Sequence, residues 1–259
     1  MTDLVVVGGG KMGEALVGGL LRAGRPAADL TVVEPHEPRR AELQEAFPGL
    51  AVVAEPVSAA GAIVAVKPQH VPEVCRSLGE LGVGRVLSIA AGVRLATMEA
   101  ALPAATPVVR AMPNTPALVG AGAAAIAPGT AAGPDDLAWA ESILGAVGAV
   151  VRVSEAQIDA VTGLSGSGPA YVFLVAEALI DAGVLEGLSR DVASELAVAT
   201  LRGAGELLAT GQAPAELRAA VTSPGGTTAA GLAALESAAV RAAFSAAVSA
   251  AAARSRELG

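Results

Sequence analysis

Near the start of this chain the run Gly8-Gly9-Gly10-Lys11-Met12-Gly13 follows the apolar segment Leu4–Val7 and leads into Glu14, Ala15 and Leu16. A strand, a glycine turn and a helix in that order make an anion cradle. Gly8 permits the tight turn, Gly10 lets a pyrophosphate approach the backbone, and Gly13 lets the helix pack on the strand with its dipole facing the phosphates. A plain glycine-rich turn is the competing reading, and the strand-to-helix context favours the nucleotide. Glu34 ends the second apolar run, Leu30–Val33, where a carboxylate accepts hydrogen bonds from the adenosine ribose, a sign of NAD. His36, Arg39 and Arg40 follow at once and give the opposite signal, because guanidinium groups match a ribose phosphate. Ala65-Val66-Lys67-Pro68-Gln69 ends a further apolar run, where Pro68 stops the strand and Lys67 projects near the cofactor crevice or stands as an ordinary exposed lysine.

Later motifs are loops rather than acid–base pairs. Arg110-Ala111-Met112-Pro113-Asn114-Thr115-Pro116 is a stiff polar segment suited to positioning. Gly163-Leu164-Ser165-Gly166-Ser167-Gly168-Pro169-Ala170-Tyr171 precedes a long apolar helix and reads as a ligand loop or a packing break. Val221-Thr222-Ser223-Pro224-Gly225-Gly226-Thr227-Thr228 frees backbone N–H groups ahead of the last helix, which makes it a carboxylate cradle or a tight helix connection.

The elements that must position these residues fall into two halves. Leu4–Val7, Leu30–Val33, Ala51–Val53, Ala62–Val66, Val86–Ile89, Val108–Val109 and Ala149–Val153 read as strands separated by short helices, an α/β pattern of βαβ units with a mostly parallel sheet. Ser154 and Gln157 have capping-box spacing, and helices are expected over 155–163, 168–182, 190–210, 214–220 and 228–256, with Gly183 and Gly211 as stops. The expected domains are therefore 1–154, dinucleotide-binding, and 155–259, all-helical.

Composition bounds the function. The chain has 259 residues, 53% of them hydrophobic, and a formal charge of −8. The uncharged stretch Ala111–Pro134 is interrupted by prolines and glycines that no bilayer-crossing helix tolerates, so no membrane partner is expected. Met1 to Asp3 run into Leu4–Val7 without a basic or cleavable leader, which points to the cytoplasm. The single Cys75 excludes an internal disulfide and a cysteine-rich metal site, and no metal is expected. Without a basic run, nucleic acid is excluded as the expected partner.

Taken together, Gly8–Gly13, Ala65–Gln69, Arg110–Pro116, Asp159–Tyr171 and Val221–Thr228 resemble the pyrroline-5-carboxylate reductase family over nearly the whole chain. The resemblance implies a Rossmann-like domain followed by an all-α dimerisation domain, a homodimer or a larger ring of dimers, and NADPH or NADH reducing L-1-pyrroline-5-carboxylate to L-proline. It places Gly8, Gly10, Lys11, Met12, Gly13, Glu34, Ala65, Val66, Lys67, Pro68 and Ala91 at the cofactor. Val221, Ser223, Gly225, Gly226, Thr227 and Thr228 fall at the substrate, sandwiched against the nicotinamide, with Thr228 as the catalytic hydroxyl beside the ring nitrogen. Many members carry asparagine where this chain has Lys11, and cofactor choice varies beyond the second strand. Other small Rossmann reductases, such as 3-hydroxyacid dehydrogenases, need a lysine in the helical half. Here every lysine or arginine after Lys67 is arginine, which argues for imine over ketone chemistry. Non-catalytic dinucleotide binding and a purely structural role for both glycine loops are the remaining alternatives.

Overall fold

Alternate residues of the first strand, β1 (Thr2–Val7), face opposite ways. Leu4 and Val6 enter one apolar cluster and Val5 and Val7 another, so the sheet is covered on both faces. The computed structural model describes residues 2–259. After β1 come α1 (Lys11–Arg22), β2 (Leu30–Val33), α2 (Glu37–Ala46), β3 (Ala51–Val53), β4 (Ala59–Val64), α3 (Val71–Glu80), β5 (Val86–Ser88), α4 (Leu95–Glu99), β6 (Val108–Met112), β7 (Gly122–Pro128), α5 (Pro134–Leu144) and β8 (Gly148–Arg152). The eight strands lie in the order β3-β2-β1-β4-β5-β6-β7-β8. All neighbours are parallel except β6 and β7. The winding reverses between β1 and β4, which opens a crevice beyond their carboxyl ends.

The expected α/β sheet is present; the limits of β1, β5, β6 and β8 differ from those expected by about one to three residues, and β4 and β7 differ further. The strand expected over Ala62–Val66 lies earlier, at Ala59–Val64, because its pairing with β1 runs from Thr2 opposite Ala59 to Val7 opposite Val64. Strand β7 was not expected at all. Its alanines have weak strand preference, and pairing with β6 and β8 makes it a strand.

Glu155–Gln157 forms a single 3-10 turn, with the Ser154 backbone N–H donating to Gln157 Oε1 at 2.9 Å. The short helix α6 (Ile158–Val161) and a π-helical turn (Thr162–Gly166) follow where one helix over 155–163 was expected. By packing, the first compact unit takes in the chain up to Ser167 together with Ala250–Gly259, and the second is Gly168–Ser249. Segment 155–167, grouped above with the helical half, packs in the first unit. Ile158 is buried against Ala125 and Ala127, and Glu155 Oε1 accepts from buried Arg110 (3.0 Å) and from the Leu95 N–H (2.7 Å). Ser255 Oγ donates to Asp159 at 2.6 Å and ties the end of the chain to the same segment.

The second unit holds α7 (Gly168–Leu185), α8 (Arg190–Leu208), α9 (Pro214–Ala220), α10 (Thr227–Ser237) and the greater part of α11 (Val240–Leu258). Among the described residues no strand occurs after β8. Gly183 is not a stop but lies within α7, where a Cβ would come 3.1 Å from that of Ala193. The stop is Gly187, with φ +97°. The single helix expected over 228–256 is two helices meeting at 51°. Ala239 sits at the break with φ 56°, without a nearby glycine or proline. An alanine there costs about 1–2 kcal/mol. Arg241 Nε spans the break to Glu236 Oε1 at 2.8 Å.

Candidate functional site

The crevice beyond β1, β2 and β4 is a cavity of about 580 Å³. Gly8, Gly10, Glu34, Ala65, Val66 and Lys67 line it, so six of the expected cofactor residues meet there. Lys11, Met12 and Gly13 form the first turn of α1, Pro68 opens the 3-10 turn after Lys67, and Ala91 lies in the exposed turn after β5; none of these five lines the cavity. The Gly8 N–H donates to Val33 C=O at 2.9 Å, and Ala65 bonds back to Val7, so three strand ends are laced together beneath the turn.

The glycines divide the work as their positions require. Gly8 has φ +111°, and a Cβ on it would lie 2.6 Å from the Ala65 carbonyl oxygen. A Cβ on Gly13 would run into the Gly8 carbonyl oxygen, whereas one on Gly10 would meet nothing within 4 Å. Gly8 and Gly13 therefore serve close packing of turn, helix and strand. Gly10 faces open space as the N-cap of α1, with no side-chain cap. Uncapped N–H groups, the positive end of the helix dipole and clear space above them fit a pyrophosphate. Lys11, exposed at the first helical position, opposes the dipole but adds to the attraction for an anion.

At the far side of the turn Glu34 is held by backbone donors. Its Oε2 accepts the Gly9 N–H at 3.1 Å and its Oε1 the His36 N–H at 2.9 Å. Arg39 donates from Nε to Gly9 C=O (2.8 Å), from one terminal nitrogen to Glu42 (2.7 Å) and from the other to Glu14. The carboxylates of Glu42 and Glu14 hold this guanidinium above its ordinary pKa. Arg40 donates to the carbonyls of Glu34 (3.0 Å) and Pro35 (2.7 Å). Sequence reasoning missed Glu55, His70 and Glu73, which also line the cavity. Glu55 follows the end of β3, so the rule that ligands gather at carboxyl ends of strands was the signal available for it.

The polar loop after β6 has a positioning role. Asn114 Oδ1 accepts the Ala123 N–H (2.8 Å) and its Nδ2 donates to Ser165 C=O (3.0 Å), which links β7 to the π-helical turn. Gly166 packs on Met112, with room for no Cβ at 2.6 Å from the methionine methyl. Cys75 is buried in α3, and burial pushes its thiol up to about 11, so it is not a nucleophile for this site.

In the second unit the segment Val221–Thr228 joins α9 to α10. Gly225 takes φ +68°, and the Gly226 N–H donates to Ser223 C=O at 3.1 Å. Gly226 is the N-cap of α10, and Thr227 and Thr228 are its first two residues. Thr228 is thus inside the helix rather than its cap. Val221, Ser223, Gly225 and Thr227 are exposed, and the first N–H groups of α10 lack partners within the helix.

Residues 155–258 match the family described as pyrroline-5-carboxylate reductase dimerisation, and residues 3–92 match NADP oxidoreductase, coenzyme F420-dependent. A pyrroline-5-carboxylate reductase of Synechocystis is 47% identical over 265 residues, covering 99% of this chain and 98% of the relative. The solved structure of a pyrroline-5-carboxylate reductase from Coxiella burnetii superposes with a TM-score of 0.95 at 37% identity, over 100% of this chain and 98% of that one. The Plasmodium falciparum pyrroline carboxylate reductase, solved with NADP bound, gives 0.83 at 30% identity over 100% and 98%. With the glycine turn, the crevice and the helical second half all present, the chain belongs to the pyrroline-5-carboxylate reductase family.

Proposed function

We infer that this protein reduces L-1-pyrroline-5-carboxylate to L-proline with NAD(P)H, the last step of proline formation. The observation that carries the reading is full-length identity to reductases of that name, joined to a glycine turn whose one open position lies at a helix N-terminus above a cavity. The first unit holds the cofactor, and the helical second unit, Gly168–Ser249, binds substrate and assembles the subunits. When bound, the reduced nicotinamide supplies the hydride taken by the C=N carbon. The chain supplies orientation, the larger part of such catalysis. Backbone N–H groups around Ser223, Gly225, Gly226 and Thr227 hold the substrate carboxylate, with Val221 beside them. Thr228 places its hydroxyl near the ring nitrogen, which gains its proton from water or from a hydroxyl. Lys11, Met12, Gly13, Pro68 and Ala91 support the cofactor around the cavity.

A steady-state assay with pyrroline-5-carboxylate should show nicotinamide oxidation matched one to one by proline formed. Cofactor oxidation on 3-hydroxyacid-type ketones, with none on the imine, would overturn the reading.

The helical unit also assembles the protein. Phe173 and Leu174 on α7, Val192 and Leu196 on α8 and Leu235 on α10 are large apolar side chains exposed in the isolated chain. The run Glu155–Leu185 is also long and apolar enough to cross a membrane. A second copy of the chain is the occupant we assign to these faces, because the dimerisation family matches 155–258. The dimer, alone or within a ring of dimers, is placed in the cytoplasm, where a free buried cysteine is at home. Light scattering without detergent should give an even multiple of the chain mass; a monodisperse monomer, or a protein recovered only in detergent, would sink this assignment.

A further inference from the structure

We propose that this enzyme is selective for NADH, and that Glu34 is the residue that rejects the 2′-phosphate of NADPH. The proposal rests on the cavity being the cofactor site. Arg39 and Arg40 are the two side chains that could reverse the preference, and the structure shows what each one contacts. Arg39 has all three guanidinium nitrogens on Gly9, Glu42 and Glu14, so recruiting it to a phosphate breaks two ion pairs. Arg40 is drawn onto the carbonyls of Glu34 and Pro35. Neither arginine lines the cavity.

Glu34 does line it, at the end of β2, fixed by the Gly9 and His36 N–H groups. Both donors are backbone, so swinging the carboxylate away gives up two hydrogen bonds. Glu55 and Glu73 add negative charge to the same cavity; its one lysine, Lys67, follows β4 instead. A ribose diol donates to a carboxylate at the end of the second strand. A phosphate in the same place carries up to about two negative charges and meets a like charge inside a cavity that neither arginine lines.

Equilibrium titration of the full-length protein, followed by nucleotide fluorescence without substrate, reads this directly. Wild type should bind NADPH at least about tenfold more weakly than NADH. Glu34→Gln keeps an acceptor for the Gly9 N–H and removes the charge, and should narrow the ratio to within about threefold, chiefly by tightening NADPH. NADPH binding as tight as NADH in the wild type overturns the proposal, and that comparison needs no variant to fold. A Glu34→Gln protein with the wild-type ratio, both affinities lowered alike, also overturns it. Binding of neither nucleotide would instead overturn the cofactor reading of the cavity, and the selectivity with it.

Discussion

Gly10→Asp should leave the melting temperature within about 2 °C of the wild type and weaken NADH binding at least about a hundredfold. Aspartate is among the most favoured N-cap residues, and a Cβ at this position meets nothing within 4 Å, so the folded chain accepts it. The same open space is where a pyrophosphate approaches, and a carboxylate there excludes it by charge and by volume. Gly13→Ala should behave in the opposite sense. Its Cβ runs into the Gly8 carbonyl oxygen, and overpacking of this kind costs about 1–3 kcal/mol. That is a fall of about 2–12 °C in melting temperature for a protein of this size. Thermal melts and nucleotide titration of the two variants separate a glycine that the ligand needs from one that the fold needs. Equal loss of stability in both, or undiminished NADH affinity in Gly10→Asp, would contradict the division.

Thr228→Ala should lower kcat/KM for pyrroline-5-carboxylate about a hundredfold, the lower end for a positioned group acting on a proton in the transition state. The fold should not change, because Thr228 is partly exposed and the N-cap of α10 is Gly226. Thr228→Ser retains the hydroxyl and should recover most of the activity. The loss should fall mainly on kcat, since the carboxylate is held by the backbone and substrate binding survives. Full kcat/KM in Thr228→Ala would remove the hydroxyl from the mechanism, and a loss confined to KM would reassign it to substrate binding.

The residues show how far sequence alone reaches. Leu4–Val7, the glycine turn and Glu34 lie within short spans whose periodicity and chemistry are local, and the structure places Gly8, Gly10 and Glu34 around one cavity. Ala51–Val53 and Leu30–Val33 have the expected limits because β-branched residues and flanking turns mark them. The family itself was legible in Asp159–Tyr171 and Val221–Thr228. What was not legible depends on partners distant in the chain. Gly122–Pro128 is a strand through β6 and β8, not through its own alanines. Segment 155–167 joins the first unit because Arg110, Leu95, Asn114 and Ser255 bond to it across long sequence separations. The break at Ala239 has no local marker. The meaning of Arg39 turned in the same way: beside Glu34 in sequence it reads as a phosphate ligand, and only the approach of Glu14 from α1 shows its charge already met. Local pattern was enough for the cradle and the chemistry. Which strand pairs with which, and which charges remain free, is settled by long-range contacts that only the folded chain brings together.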